Sequence, residues 1–114
     1  MAEPDYEITL DPARFDLQAA HAYLSTSYWA EGIPLATLRK AIDNSLCVAA
    51  FANGGQVGFA RLVTDRATFA YLADVYVLEA HRGRGLSRRL VAALLEHPEA
   101  QGLRRLMLVT RDAH

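Results

Sequence analysis

The chain has 114 residues and a formal net charge of −1, with 52% hydrophobic and 22% charged residues. This is the length of one domain, residues 1–114, apolar enough to bury a core and to argue against disorder; the near-neutral balance leaves no global basic field for nucleic acid. No apolar run approaches the roughly 20 residues of a membrane span, and the acidic start Met1-Ala2-Glu3-Pro4-Asp5 lacks the basic and apolar regions of a signal peptide, so a cytoplasmic protein without a membrane partner is expected.

Residues 6–10 alternate polar and apolar and predict a strand that Asp11-Pro12 ends. Over 15–28, Phe15, Leu17, Ala20, Tyr23 and Leu24 recur at helical spacing, with Asp11 or Asp16 available as N-cap. Gly32-Ile33-Pro34 interrupts; Pro34 suits the first position of a second helix, whose apolar stripe is Leu35, Leu38, Ala41 and Ile42, and Asn44 is a stop. Residues 46–52 form an apolar run that predicts a buried strand. Its single cysteine, Cys47, lies between Leu46 and Val48 with no base beside it, and reads as a small core residue. Asn53-Gly54-Gly55 predicts a hairpin, because a type I′ turn needs positive φ values that Asn and Gly tolerate.

The return strand follows at 56–63, a turn at Thr64-Asp65-Arg66, and a third strand at 69–78, rich in aromatic and β-branched residues. Beyond an Arg/Gly segment, Leu86, Leu90, Val91, Leu94 and Leu95 give another helix before Pro98, and 105–110 gives a last strand. A helix between two strands implies a right-handed crossover and parallel pairing. The expected class is therefore α/β (α+β): a mixed, mostly antiparallel sheet carrying one βαβ unit.

Chemistry concentrates in Arg82-Gly83-Arg84-Gly85-Leu86-Ser87, at the predicted strand-to-helix junction. A helix N-terminus has unpaired N–H groups and a partial positive charge, and phosphates bind there when the backbone can be approached. Gly83 and Gly85 remove the Cβ atoms that would obstruct it, and Arg82 and Arg84 supply charged donors. A phosphate-binding loop is expected. It is not a Walker A loop, which needs a lysine after its last glycine, nor a three-glycine dinucleotide fingerprint.

Tyr71-Leu72-Ala73-Asp74-Val75-Tyr76-Val77 followed by Arg82-Gly83-Arg84-Gly85-Leu86-Ser87 resembles motif A of the GNAT acetyltransferases, whose pattern is Gln/Arg-x-x-Gly-x-Gly/Ala. Arg82, Gly85 and Ser87 occupy its defined positions, Ser87 as a small departure. The likeness extends over residues 6 to 110 in element order. It implies the acyl-CoA N-acyltransferase fold, in which the strands at 69–78 and 105–110 splay and acetyl-CoA wedges between them. The pyrophosphate would take N–H groups from Arg82, Gly83, Arg84, Gly85, Leu86 and Ser87, and the pantetheine arm would pair with the backbone of Val75, Tyr76 and Val77. The implied function is transfer of an acetyl group to a primary amine, of a small molecule or a protein N-terminus, by direct attack in a ternary complex. No metal is implied.

Two readings fit Asp74, the one acid inside an apolar strand: a general base, or a carboxylate paired with Arg61 on the neighbouring strand. Tyr28 and Trp29 precede the Gly/Pro loop and read either as acceptor-pocket residues or as hydrophobic anchors. His21 reads as structural, His81 as a linker residue beside the phosphate site. The resemblance also implies a further helix and two strands after His114, with a tyrosine that protonates the departing thiolate. The expectation is accordingly a domain incomplete at its C-terminus, prone to homodimerise, with a non-catalytic acyl-CoA-binding or interaction module as the alternative function.

Overall fold

The sheet is organised around one tight hairpin. In the computed structural model, which describes residues 5–108, β2 (Leu46–Ala52) and β3 (Gly55–Thr64) pair antiparallel from Ala52↔Gly55 to Leu46↔Leu62. Asn53 and Gly54 both adopt positive φ, 54° and 81°, as a type I′ turn demands. β1 (Glu7–Thr9) adds antiparallel to β2, β4 (Phe69–Val77) antiparallel to β3, and β5 (Arg105–Leu108) parallel to β4, giving the order β1-β2-β3-β4-β5. The predicted strand residues Val109 and Thr110, and the segment 111–114, lie outside the described residues.

Helices cover both faces. α1 (Leu17–Leu24) and α2 (Leu35–Asp43) lie on one, and α3 (Leu86–Leu95), the crossover between β4 and β5, on the other. The alternation of β2 divides the core accordingly. Leu46, Val48 and Ala50 pack with Leu62, Leu86, Leu90 and Leu94; Cys47 and Ala49 pack with Phe59, Tyr76, Ala20, Leu24 and Leu38. A sheet buried on both faces reads as a continuous apolar run, which is the pattern at 46–52. Burial pushes the Cys47 thiol up to about 12, so it stays protonated in the core.

Two elements differ from expectation in ways that shape the site. The first helix ends at Leu24, not at Tyr28, because hydroxyl side chains close its end: Thr26 Oγ1 and Ser27 Oγ donate to the carbonyls of Tyr23 and Leu24, and Gly32 N–H returns to Ser25 O at 2.9 Å. Tyr28 and Trp29 thus stand on a loop instead of a helix face. Pro34 sits one position earlier than predicted, as the N-cap of α2. In β4 the pairs Phe59↔Tyr76 and Arg61↔Ala73 set two residues of β4, Asp74 and Val75, against Ala60 alone on β3, a bulge in which Asp74 takes φ 52°.

Candidate active site

β4 leads into the Arg/Gly segment through a 3-10 turn at Glu79–His81, and α3 starts at Leu86 with Gly85 as its N-cap. Gly83 and Gly85 have φ of 78° and 74°, values that disfavour any side chain with a Cβ. A Cβ built on either would meet no atom within 4 Å, so the space over this backbone is open. No side chain caps α3 and no acid lies in its first turn. Arg82 N–H already donates to Glu79 O at 3.2 Å, which moves the start of the available loop to Gly83.

This helix end opens into a pocket of about 350 Å³. It is lined by Val75, Tyr76 and Val77 of β4, by Gly83, Gly85, Leu86 and Ser87 of the loop and the start of α3, and by Tyr23, Trp29, His81 and Arg82. Leu78 N–H donates to Val57 O at 2.8 Å. By the alternation of antiparallel pairing, Leu78 and Tyr76 face β3 and Val77 and Val75 present backbone groups to the other edge. Among the described residues, β5 pairs only with Phe69 to Leu72 of β4, so that edge beyond Leu72 has no described partner strand.

The side chains around the pocket brace one another. The Arg82 guanidinium folds back, donating from Nε to Val77 O at 2.8 Å and from Nη2 to Tyr23 Oη at 3.0 Å. Tyr23 stacks on Tyr76, with ring centroids 4.1 Å apart and planes 9° from parallel. The Tyr76 hydroxyl is buried without a hydrogen-bond partner among the described residues. Gln56 lies beside it, but its amide bonds both backbone groups of Asp16. Burial pushes the Tyr76 phenol up to about 12, keeping it neutral at ordinary pH. On the other side, Tyr6 Oη bonds His81 Nδ1 at 2.9 Å and accepts from Arg84 Nη1 at 2.9 Å. The Tyr6 hydroxyl therefore joins His81 to Arg84.

Asp74 and Trp29 meet. Asp74 Oδ2 lies 2.6 Å from Arg61 Nε, and Asp74 Oδ1 accepts from Trp29 Nε1 at 2.8 Å. The Asp74 side chain is only 7% exposed. Arg61 continues to Ser45 Oγ at 3.1 Å, and Ser45 donates to Ala41 O of α2. The pairing with Arg61 is therefore present in the fold, and it accounts for how a charged side chain sits at a bulge in the sheet.

A family model described as "Acetyltransferase (GNAT) family" matches residues 11–114. The chain belongs to the GNAT acetyltransferase family. It is similar to a candidate acetyltransferase of Gibberella zeae, with 36% identity over 95% of this chain and 73% of the relative. Among solved structures it resembles a candidate GNAT acetyltransferase of Xanthomonas campestris pv. campestris, at 49% identity and TM-score 0.92, over 99% of this chain and 80% of that one. The fold is also that of diaminobutyrate acetyltransferase EctA of Paenibacillus lautus, solved with L-2,4-diaminobutyric acid and coenzyme A, at TM-score 0.76 and 16% identity over 95% of this chain and 67% of that one.

Within this GNAT fold, the residues singled out from sequence converge: Val75, Tyr76, Val77, Arg82, Gly83, Gly85, Leu86, Ser87 and Trp29 all border one pocket. Tyr28 stands beside it, its ring edge-on to Trp29 at 5.1 Å and 59% exposed. His21 is structural as expected, bonding Ile33 O at 2.9 Å. Tyr23 and Tyr6 were not singled out. Tyr23 lies at helical spacing with Ala20 and Leu24 and reads as core. Tyr6 reaches His81 across 75 residues of chain, a contact that no local pattern announces. Among the described residues, no helix is long and apolar enough to cross a membrane, and no cluster of three His, Cys, Asp or Glu could hold a metal ion.

Proposed function

We propose that the chain transfers an acetyl group from acetyl-CoA to a primary amine, of a small molecule or a protein N-terminus, by direct attack with both substrates bound. The observation that carries this reading is that the uncapped, glycine-fronted N-terminus of α3 opens into the same pocket as the part of β4 that has no partner strand beside it among the described residues. The N–H groups from Gly83 to Ser87 suit a pyrophosphate, with Arg84 as a charged donor nearby. Val75 and Val77 offer a strand edge on which an amide-bearing pantetheine arm can lie. Val77 O is already held by Arg82, so its N–H and the groups of Val75 are the ones this edge presents. Acetyl-CoA, when bound, supplies the acyl group as a thioester, the new N–C bond forming as the C–S bond breaks and the amine giving up a proton.

The residues of the chain set the stage for that exchange. Tyr23, stacked on Tyr76 and tied to Arg82, walls the pocket and excludes water. Asp74, next to the lining residue Val75 on β4, takes the amine's proton through water, since Arg61 and Trp29 hold its two oxygens. The bound diamine and coenzyme A of the Paenibacillus lautus enzyme support the pairing of such a donor with an amine acceptor in this fold.

The test is thiol release from acetyl-CoA with a panel of small amines and N-terminal peptides, alongside calorimetry with acetyl-CoA. Binding together with amine-dependent release is expected. Binding without release on any amine would leave an acyl-CoA-binding module; no binding would remove the reading.

A further inference from the structure

Trp29 lines the pocket together with Val75 and the phosphate loop, and its indole N–H is bonded to Asp74, which lies just before Val75 on β4 and behind the pocket lining. β4 runs from Asp74 through Val75 and Tyr76 to Val77, and the chain then turns to Gly83 and Gly85. If phosphates lie at the loop, the ligand extends back along Val77 toward Val75, and its acyl end arrives where Trp29 lines the pocket. Trp29 is 42% exposed and is one of the residues that line the pocket, so its indole is within reach of a ligand there. It belongs to no helix; its only described polar tether is the bond to Asp74 Oδ1 at 2.8 Å. Asp74 is itself fixed, by Arg61 Nε at 2.6 Å and by a bulge that turns its backbone to φ 52°.

We infer that Trp29 sets the length of acyl group the pocket accepts, and that Asp74, locked by Arg61, is a positioning residue that holds the indole across the acyl end. This rests on the acyl-CoA reading above and deepens it: the donor class is a short-chain acyl-CoA, acetyl in preference to butyryl. Asp74 then has two separable duties. An asparagine keeps an oxygen that accepts from Trp29 Nε1 but cannot take a proton. An alanine loses both.

Trp29 is the single tryptophan of the chain, so its fluorescence reports the pocket end directly. The experiment measures emission and calorimetric affinity for CoA, acetyl-CoA and butyryl-CoA with the chain and with Trp29→Ala, Trp29→Phe, Asp74→Asn and Asp74→Ala, each checked by thermal melting. In the wild-type chain, acetyl-CoA shifts or quenches the emission. Trp29→Ala moves the butyryl-to-acetyl affinity ratio about tenfold toward butyryl, the effect of burying two more methylenes, whereas Trp29→Phe moves it less. Asp74→Ala moves the ratio in the same direction, and Asp74→Asn leaves it near wild type while lowering turnover for every acyl group. Equal weakening of all donors by Trp29→Ala, or silent fluorescence under saturating acetyl-CoA, overturns the assignment of Trp29. A wild-type ratio in a folded Asp74→Ala overturns the positioning role. Absence of binding to any CoA species by the wild-type chain defeats the acyl-CoA reading itself, and this inference with it.

Discussion

The N-termini of α1 and α3 face the same physical problem and meet it in opposite ways. Each begins with N–H groups that the helix cannot pair. At α1 the fold closes the end: Asp16 Oδ1 accepts from Ala19 N–H at 3.0 Å, and Gln56 bonds both the N–H and the carbonyl of Asp16. At α3 the cap is a left-handed glycine with no side chain to offer, no acid follows in the first turn, and arginines flank it at Arg84, Arg88 and Arg89. One positive end is spent on the protein's own carboxylate. The other carries no side-chain cap. The difference lies in the residues at and around each cap, Asp16 with Gln56 at α1 and Gly85 at α3.

Filling the open end should have the largest effect. Gly85→Trp places a bulky side chain at φ 74°, over the space a phosphate would use. Coenzyme A affinity is expected to fall by at least about 100-fold in calorimetry, while left-handed strain costs about 1–2 kcal/mol of stability. Unchanged affinity in a folded variant would remove the phosphate site. Ser87→Glu puts an acid in the first turn of α3, beside its open end. Stability should rise by about 0.3–1 kcal/mol from the helix dipole, while coenzyme A binding weakens about tenfold through charge repulsion, so that melting temperature and affinity move in opposite senses. The converse change, Asp16→Ala, opens the closed end. It is expected to cost about 1 kcal/mol and to leave coenzyme A affinity within about twofold; a larger loss of affinity would mean that the two helix ends are not independent.

The same contrast shows what was legible in the sequence. The hairpin, the buried strand and the βαβ unit follow from local signals, namely Asn53-Gly54, the run 46–52 and the leucines of α3, because turn chemistry and burial pattern act over short stretches. The open loop was legible for the same reason: glycine and arginine at fixed spacing before an amphipathic helix. What was hidden is set by pairs distant in the chain. For Asp74 the sequence leaves a base and a partner of Arg61 both open, and only the sheet register, with Arg61 opposite Ala73 across a bulge, brings the two side chains together. For Trp29 a pocket residue and a hydrophobic anchor are both open, and its bond to Asp74 depends on the helix stopping at Leu24, which the hydroxyls of Thr26 and Ser27 cause and hydrophobic periodicity alone does not reveal.

The smallest effect is expected from a contact that steadies the open end without lining its backbone. Tyr6, just before β1, bonds His81 and Arg84 and so ties the N-terminal segment to the loop that precedes α3. Tyr6→Phe removes only the hydroxyl; the edge-to-face contact with His81, at 5.6 Å and 83°, can persist. A net hydrogen bond is worth about 0.5–1.5 kcal/mol, and part of this one bears on loop order and not on global stability. Coenzyme A affinity should drop about two- to threefold, with a melting shift of a few degrees. Nitrogen NMR of the His81 ring gives the specific readout. Without the hydroxyl, Nδ1 loses its hydrogen-bond partner, and its resonance should move. A His81 spectrum and an affinity both unchanged in Tyr6→Phe would show that α3 keeps its open N-terminus without help from the distant strand, and would confine the design of the site to residues 82–87.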